Sequence, residues 1–284
     1  MPLHRCILGA AAVALSVAAQ ADSVAAQTGT APPGAAPAAE TPAVPTAAPG
    51  IAIAGTGLTL TTTAAVATDY LFRGISQTRN NWAVQGTFDL AHESGVYVGA
   101  FLTNAKFLAS PWNNTRQELD LLAGYRFALG PVNLDVGYIG YLYPGQDKAP
   151  GTQLNEYHEV AIRVNTTIDP VRILASYNYS PNFFGRSGTG HYVEGGVDVT
   201  LPYAFTASGR LGYQWIQNNP RFGTPDYLWY SVGLSREIYW GVTATLAWYG
   251  TNIDRRDCAP VVDRATGGQR ICEGRVLFTL SKVF

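Results

Sequence analysis

The side chains with the most chemistry to offer are charged residues that alternate with apolar ones along short segments. In one such segment Glu118, Asp120 and Arg126 fall on one face of an extended chain, whereas Leu119 and Leu121 fall on the other. Charges of both signs that face a common interior can orient and select polar solutes, as they do in channels. They can equally pair across neighbouring strands and close that interior. The residues predicted to line the interior are Asp69, Arg73, Asp89, Glu118, Asp120, Arg126, Asp135, Glu159, Arg163, Arg172, Glu194, Asp198, Arg210, Arg236 and Arg275.

Histidines are the first residues to test for catalysis, because many hydrolases pair a histidine base with a nearby serine. Beyond the N-terminal region the sequence contains His92, His158 and His191. Neither His158 nor His191 has a serine two residues away, where the same face of a strand would hold it. We therefore predict that the protein is not an enzyme, and a hydrolase is the less favoured alternative.

The elements that position these residues begin after an export signal. Residues 1–21 combine a weakly basic start, an apolar stretch and a small-residue cleavage pattern, which is typical of a secretory signal peptide. Residues 22–56 are rich in Ala, Pro and Thr, and they predict a flexible periplasmic leader. The net formal charge of −1 lacks the basic surplus of a nucleic-acid-binding protein.

Two cysteines remain after the signal peptide. Cys258 and Cys272 form an even pair in an exported protein, and this predicts a disulfide. No histidine lies near them, so a metal site is disfavoured, and we expect no metal or cofactor. Both cysteines lie in the longest predicted loop, 250–274. This loop could bind a partner, as the loop of a receptor or adhesin would.

Residues 57–284 alternate between apolar and polar residues with a period of two, which predicts strands. The sequence has no later run of eighteen apolar residues, so it predicts no membrane helix. Short turns alternate with longer polar loops, the pattern of short periplasmic turns and long extracellular loops in outer-membrane barrels. We predict an all-β fold, a 12-stranded antiparallel up-and-down transmembrane β-barrel. The strands are 58–73, 82–91, 96–105, 117–128, 132–142, 155–167, 171–180, 191–201, 204–216, 227–236, 241–249 and 275–284.

Composition supports a membrane barrel over a soluble sandwich. Only 14% of residues are charged and 12% are aromatic, whereas soluble domains carry about 25% charge. Aromatic residues concentrate at strand ends, as in interfacial girdles. Outer-membrane lipid of a Gram-negative cell is therefore an expected partner. The predicted girdle residues are Tyr70, Phe72, Tyr138, Tyr179, Trp215, Tyr230 and Trp248.

The last strand ends on an aromatic residue. Counting back by twos from Phe284 gives an apolar row with Leu280 and Phe278, interrupted by Lys282, whose side chain can extend to the membrane interface. This row is similar to the C-terminal signal that the barrel-assembly machinery reads. We expect that machinery to be a partner.

Several blocks of the sequence resemble one family. The segment Asp69-Tyr-Leu-Phe-Arg-Gly-Ile-Ser-Gln-Thr78 resembles the opening motif of the TorF family of proteobacterial porin-like proteins, and similarity extends from about 59 to 284. The resemblance implies an outer-membrane barrel and a pore, with no established substrate and no catalytic residues. Further similar blocks are 118–125, 136–144, 155–159 and 190–196.

These observations together predict an outer-membrane porin for passive passage of small polar or charged solutes. Two alternatives stay open: a closed structural barrel, and a receptor or adhesin. A barrel of twelve strands lies between eight-stranded barrels with filled interiors and larger porins with open channels, so strand number alone does not choose.

Overall fold

The computed structural model describes residues 50–107, 115–146, 155–219, 225–258 and 270–284. Its fold is a closed antiparallel β-barrel of twelve strands, which confirms the predicted fold class and strand number. Three further short strands are β1 (Ile51–Ile53), β3 (Leu71–Phe72) and β4 (Ile75–Ser76). The barrel strands are β2 (Leu58–Ala67), β5 (Ala83–His92), β6 (Val96–Asn104), β7 (Gln117–Leu129), β8 (Val132–Leu142), β9 (Tyr157–Ile168), β10 (Val171–Ser180), β11 (Gly190–Leu201), β12 (Phe205–Ile216), β13 (Tyr227–Glu237), β14 (Val242–Thr251) and β15 (Arg275–Val283).

Each barrel strand pairs with the strands before and after it, and β15 closes the barrel on β2. At this seam the backbone N–H of Phe284 donates to Thr62 O at 2.8 Å, and that of Thr62 donates to Phe284 O at 3.2 Å. Past the point where β15 ends, β1 pairs with the remaining part of the same edge of β2, with Ile51 opposite Leu60. The predicted leader therefore ends earlier than residue 56, because Ile51–Ile53 form part of the sheet.

The connections alternate between short and long, as predicted. One short turn, Glu93–Gly95, requires glycine at its end. Gly95 has a φ of 98°, and a Cβ there would lie 2.1 Å from the carbonyl oxygen of Arg126. Two short 3-10 helices occur, Phe184–Arg186 and Pro202–Ala204. No helix in the described residues has the length and apolarity to cross a membrane.

The outer wall is apolar. Val84, Leu129 and Val232 are representative, each more than 60% exposed. Tyr138, Trp215, Tyr230 and Trp248 are exposed on this wall, in the half of the barrel toward the long loops. Aromatic side chains also mark the opposite rim, at the short turns, namely Tyr203, Tyr239, Trp240 and the terminal Phe284.

Two predicted girdle residues do not lie on the outer wall. The first barrel strand ends at Ala67 and not at Arg73, and the chain then turns into the barrel. Tyr70 is buried there, and Phe72 packs edge-on against Tyr141 with ring centroids 5.7 Å apart. The alternation of residues 69–73 resembles a strand, but it serves a hairpin inside the lumen.

Candidate functional site

Residues 68–81 form what we call the inward hairpin, in which β3 pairs with β4. Arg73 (φ 49°) and Gly74 (φ 79°) form its tip. A Cβ on Gly74 would lie 2.9 Å from Trp229 Cβ and 2.9 Å from Thr251 Cγ2, so the tip reaches the wall formed by β13 and β14. The hairpin follows the end of β2 that lies on the side of the long loops. It therefore crosses the lumen in that half of the barrel.

Asp69 organises the hairpin through its carboxylate. Oδ1 accepts hydrogen bonds from the Tyr70 N–H at 2.8 Å, the Ser76 hydroxyl at 2.7 Å and the Thr78 hydroxyl at 2.6 Å. Oδ2 accepts from the Arg275 guanidinium at 2.8 Å, which fixes the hairpin to β15. A carboxylate that accepts several donors is well satisfied when buried. The motif at 69–78 is therefore the set of residues that builds this hairpin.

Arg73 fixes the tip of the hairpin to the barrel wall. Its side chain is fully buried and donates to Glu159 Oε2 at 2.7 Å and to Gln214 Oε1. The guanidinium also lies over the Tyr192 ring, 3.9 Å from its centroid. Burial lowers the pKa of Arg73, but Glu159 raises it, and the net direction is upward, so Arg73 is charged.

Glu159 is held by more than this ion pair. The Asn178 amide donates to Glu159 Oε2 at 2.7 Å, and the Tyr141 hydroxyl donates at 3.3 Å. We call the inward hairpin and the inward side chains around it, including Glu118, Asp120 and Glu159, the hairpin layer. All three residues are at most 2% exposed.

A second group of lumenal charges lies toward the short turns. Arg126 donates to both oxygens of Asp89, at 3.0 and 2.7 Å, and lies over the Tyr97 ring at 3.7 Å. Asp135 lies 3.6 Å from Arg126 Nε and 3.8 Å from Arg163. The same pattern of paired charges continues onto the next strands. We call the whole group the charged ladder: Asp89, Arg126, Asp135, Arg163, Arg172, Glu194, Asp198 and Arg210.

The ladder is more open to solvent than the hairpin layer. Side chains of Arg126 and Arg210 are 19% and 17% exposed, and Arg172 is 38% exposed. Beyond the ladder, the inward residues of β13–β15 in this half are neutral hydroxyls, including Ser235, Thr245 and Ser281. One wall of the lumen therefore carries partly exposed charges, whereas the hairpin fills the other part.

The predicted lumenal charges face inward with one exception. Arg236 is exposed on the outer wall, where its guanidinium lies over the Phe205 ring at 5.0 Å. Val232 and Leu234 share this face and are exposed too. A period of two places residue 236 on the same face as these residues, so the prediction that Arg236 faces the lumen was wrong.

The three histidines lie apart from the lumen. His92 Nδ1 contacts the Ser94 hydroxyl at 2.8 Å within an exposed turn. His158 stacks on Tyr138 on the outer wall, with ring centroids 6.1 Å apart. His191 Nδ1 contacts the Tyr177 hydroxyl at 2.8 Å. None of these three contacts places a histidine beside a lumenal charge.

The predicted disulfide between Cys258 and Cys272 is present. Its loop contacts the hairpin, because the Ser76 N–H donates to the carbonyl of Ile271 at 2.9 Å. Thr251 Oγ1 also donates to Cys272 O at 3.0 Å, which holds the loop to β14. Residues 259–269 of the predicted loop, including Asp263 and Arg264, lie outside the described residues.

A closed barrel leaves no sheet edge to be satisfied, and an apolar outer wall between aromatic rims suits a bilayer. These features are those of an outer-membrane protein. Within the described residues, no group of three or more His, Cys, Asp or Glu side chains could hold a metal ion.

Known structures share this fold. The KdgM porin aligns with a TM-score of 0.51 at 11% identity, over 79% of this chain and 99% of that one. A KdgM porin in complex with disordered oligogalacturonate aligns with a TM-score of 0.50 at 10% identity, over 79% and 98%. The NanC porin aligns with a TM-score of 0.50 at 9% identity, over 79% and 98%. At these identities the likeness concerns the fold.

No curated protein matches the chain. The family described as "Bacterial protein of unknown function (Gcw_chp)" matches residues 52–284, so the chain belongs to this family.

Proposed function

We propose that this protein is an outer-membrane channel for passive passage of small polar or charged solutes, in which the inward hairpin forms the constriction. The observation that carries the proposal is the division of the lumen. A partly exposed charged ladder leads from the short-turn side to a polar hairpin that crosses the lumen. Ladders of opposed charges orient polar solutes in channels.

The residues proposed to line the conduit are the inward charges. Arginine dominates the basic set, and its planar guanidinium can bind an anionic group while remaining paired. The proposed lining residues are Asp69, Arg73, Asp89, Glu118, Asp120, Arg126, Asp135, Glu159, Arg163, Arg172, Glu194, Asp198, Arg210 and Arg275.

A closed barrel with a structural or receptor role is the second candidate. It is favoured by the burial of the hairpin layer, where Arg73 and Asp120 have no exposed surface. The conductance of the purified protein separates the two candidates, because a closed barrel produces no single-channel current steps.

Two further expectations belong to this proposal. Kinship with the TorF family is proposed from the resemblance of the motif at 69–78, whose residues build the hairpin. The barrel-assembly machinery is proposed to read Phe278, Leu280 and Phe284, which are all exposed on the outer wall of the final strand.

Charge reversal in the ladder tests the conduit. We expect Arg126→Glu combined with Arg163→Glu to shift the reversal potential of single channels toward cation preference, because two positive charges become negative beside Asp135. The measurement is made in planar bilayers under a salt gradient. Arg236→Gln, on the outer wall, is the matched control and should leave the reversal potential unchanged. Identical reversal potentials for the double variant and the native protein would refute a conducting ladder.

A further inference from the structure

The hairpin layer contains more carboxyl groups than guanidinium groups. Among the predicted lumenal charges, Asp69 pairs with Arg275 and Glu159 pairs with Arg73. Glu118 and Asp120 follow on the same face of β7. Glu118 accepts a hydrogen bond from the Tyr70 hydroxyl at 2.8 Å, which is a neutral donor. The layer therefore has two carboxyl groups, Glu118 and Asp120, that form no ion pair with a described residue. Its paired and unpaired members are Asp69, Arg73, Glu118, Asp120, Glu159 and Arg275.

Asp120 is the unsatisfied member of this layer. Its side chain is fully buried, and no described residue donates a hydrogen bond to either carboxylate oxygen. The neighbouring ionisable side chains that act on it are Glu118 and Glu159, which are both carboxyl groups. A buried carboxylate without a donor or counter-charge is strongly disfavoured. Either a bound proton or a bound cation would remove this cost.

Aromatic rings line the same place. In the strand register Asp120 lies opposite Phe101 on β6 and opposite Tyr141 on β8. Tyr70 packs against Phe101 with ring centroids 5.8 Å apart. Ring faces attract cations, and most readily those that lose their hydration shell easily. Two carboxyl groups bordered by rings suit a weakly hydrated monovalent cation.

We propose that Glu118 and Asp120 form a binding site for a monovalent cation such as K⁺, Rb⁺ or ammonium. The cation would balance the charge of the hairpin layer and, if the proposed channel function holds, give the conduit a preference for cations. The binding itself does not depend on conduction, so the two can be tested separately.

Binding is tested by thermal unfolding of the refolded full chain in detergent at neutral pH. We compare RbCl with N-methylglucamine chloride at equal ionic strength, since the second cation is too large for the site. A ligand that binds only the folded state raises the unfolding midpoint, here by about 2–4 °C. Asp120→Asn should abolish this difference, and Glu118→Gln should reduce it. Asp198→Asn, in the charged ladder, should keep it.

Equal midpoints in both salts for the native protein would overturn the site and would indicate that a proton neutralises Asp120. A difference that Asp120→Asn retains would also overturn it. If Asp120→Asn does not fold, Glu118→Gln gives the same decision. Reversal potentials under a KCl gradient separate this inference from the channel proposal. Rubidium stabilisation without conductance supports the site and refutes the channel, whereas conductance without rubidium stabilisation refutes the site alone.

Discussion

Replacing Arg73 with Met is expected to lower the free energy of unfolding by about 3–5 kcal/mol, because it leaves Glu159 buried without its charged partner. Met fills a similar volume, so the loss reports the missing charge more than a cavity. The measurement is urea-induced unfolding of the barrel from lipid vesicles, followed by tryptophan fluorescence. The hairpin tip should also detach, so single-channel conductance should rise in the same variant.

The double variant Arg73→Met with Glu159→Gln is the decisive companion, because it removes both buried charges. We expect it to recover most of the lost stability, since replacing a whole buried pair costs much less than breaking it. Arg236→Gln is the matched control on the outer wall and should stay within about 0.5 kcal/mol of the native protein. A loss below about 1 kcal/mol for Arg73→Met would contradict the assigned role of this ion pair.

Removing the disulfide is expected to have the second largest effect. Cys258→Ser with Cys272→Ser frees a loop whose ends are 14 residues apart. On the loop-entropy model this lowers the free energy of unfolding by about 3 kcal/mol. The freed loop should hold the hairpin less firmly at Ser76, and the conductance should become larger or noisier. Both effects are measured with and without reductant.

The cysteine-free variant supplies the control for this experiment. Reductant should change the stability and conductance of the native protein and leave the variant unaffected. If reductant changes the stability of the native protein but not its conductance, the loop is a passive clasp outside the conduit, and its proposed link to the hairpin is wrong.

Most of the wall could be predicted from the sequence because it obeys a local rule. Alternation fixes which face each residue takes, and β8, β10 and β11 begin or end within one residue of the predicted bounds. The short turns are signalled by Gly and Pro, as at Gly130. The disulfide was predicted from the presence of two cysteines in an exported protein, and it is confirmed.

The inward hairpin escaped prediction because its residues alternate like a strand. The predicted first strand extends to Arg73, whereas the observed strand ends at Ala67 and the turn at Arg73-Gly74 is the tip of the hairpin. The real determinant is a set of hydrogen bonds from Ser76 and Thr78 back to Asp69. Such contacts depend on the chain leaving the wall at Thr68, which a period of two does not reveal.

The pairing of lumenal charges was beyond the sequence for a different reason. Arg73 and Glu159 are far apart in the chain and meet only because the barrel closes. Arg236, by contrast, was predictable, since Val232 and Leu234 already mark the outer face of β13. The predicted inward position contradicts this alternation, which places residue 236 on the outer face.

The central claim is that the lumen is a conduit limited by the inward hairpin. It is tested most directly by single-channel conductance of the refolded protein beside a variant in which residues 70–77 are replaced by a short Gly-Ser linker. The account predicts small single-channel current steps for the native protein and clearly larger ones for the variant. The variant should also admit larger organic ions than the native protein does. Absence of steps in both proteins would contradict it and would favour a closed barrel.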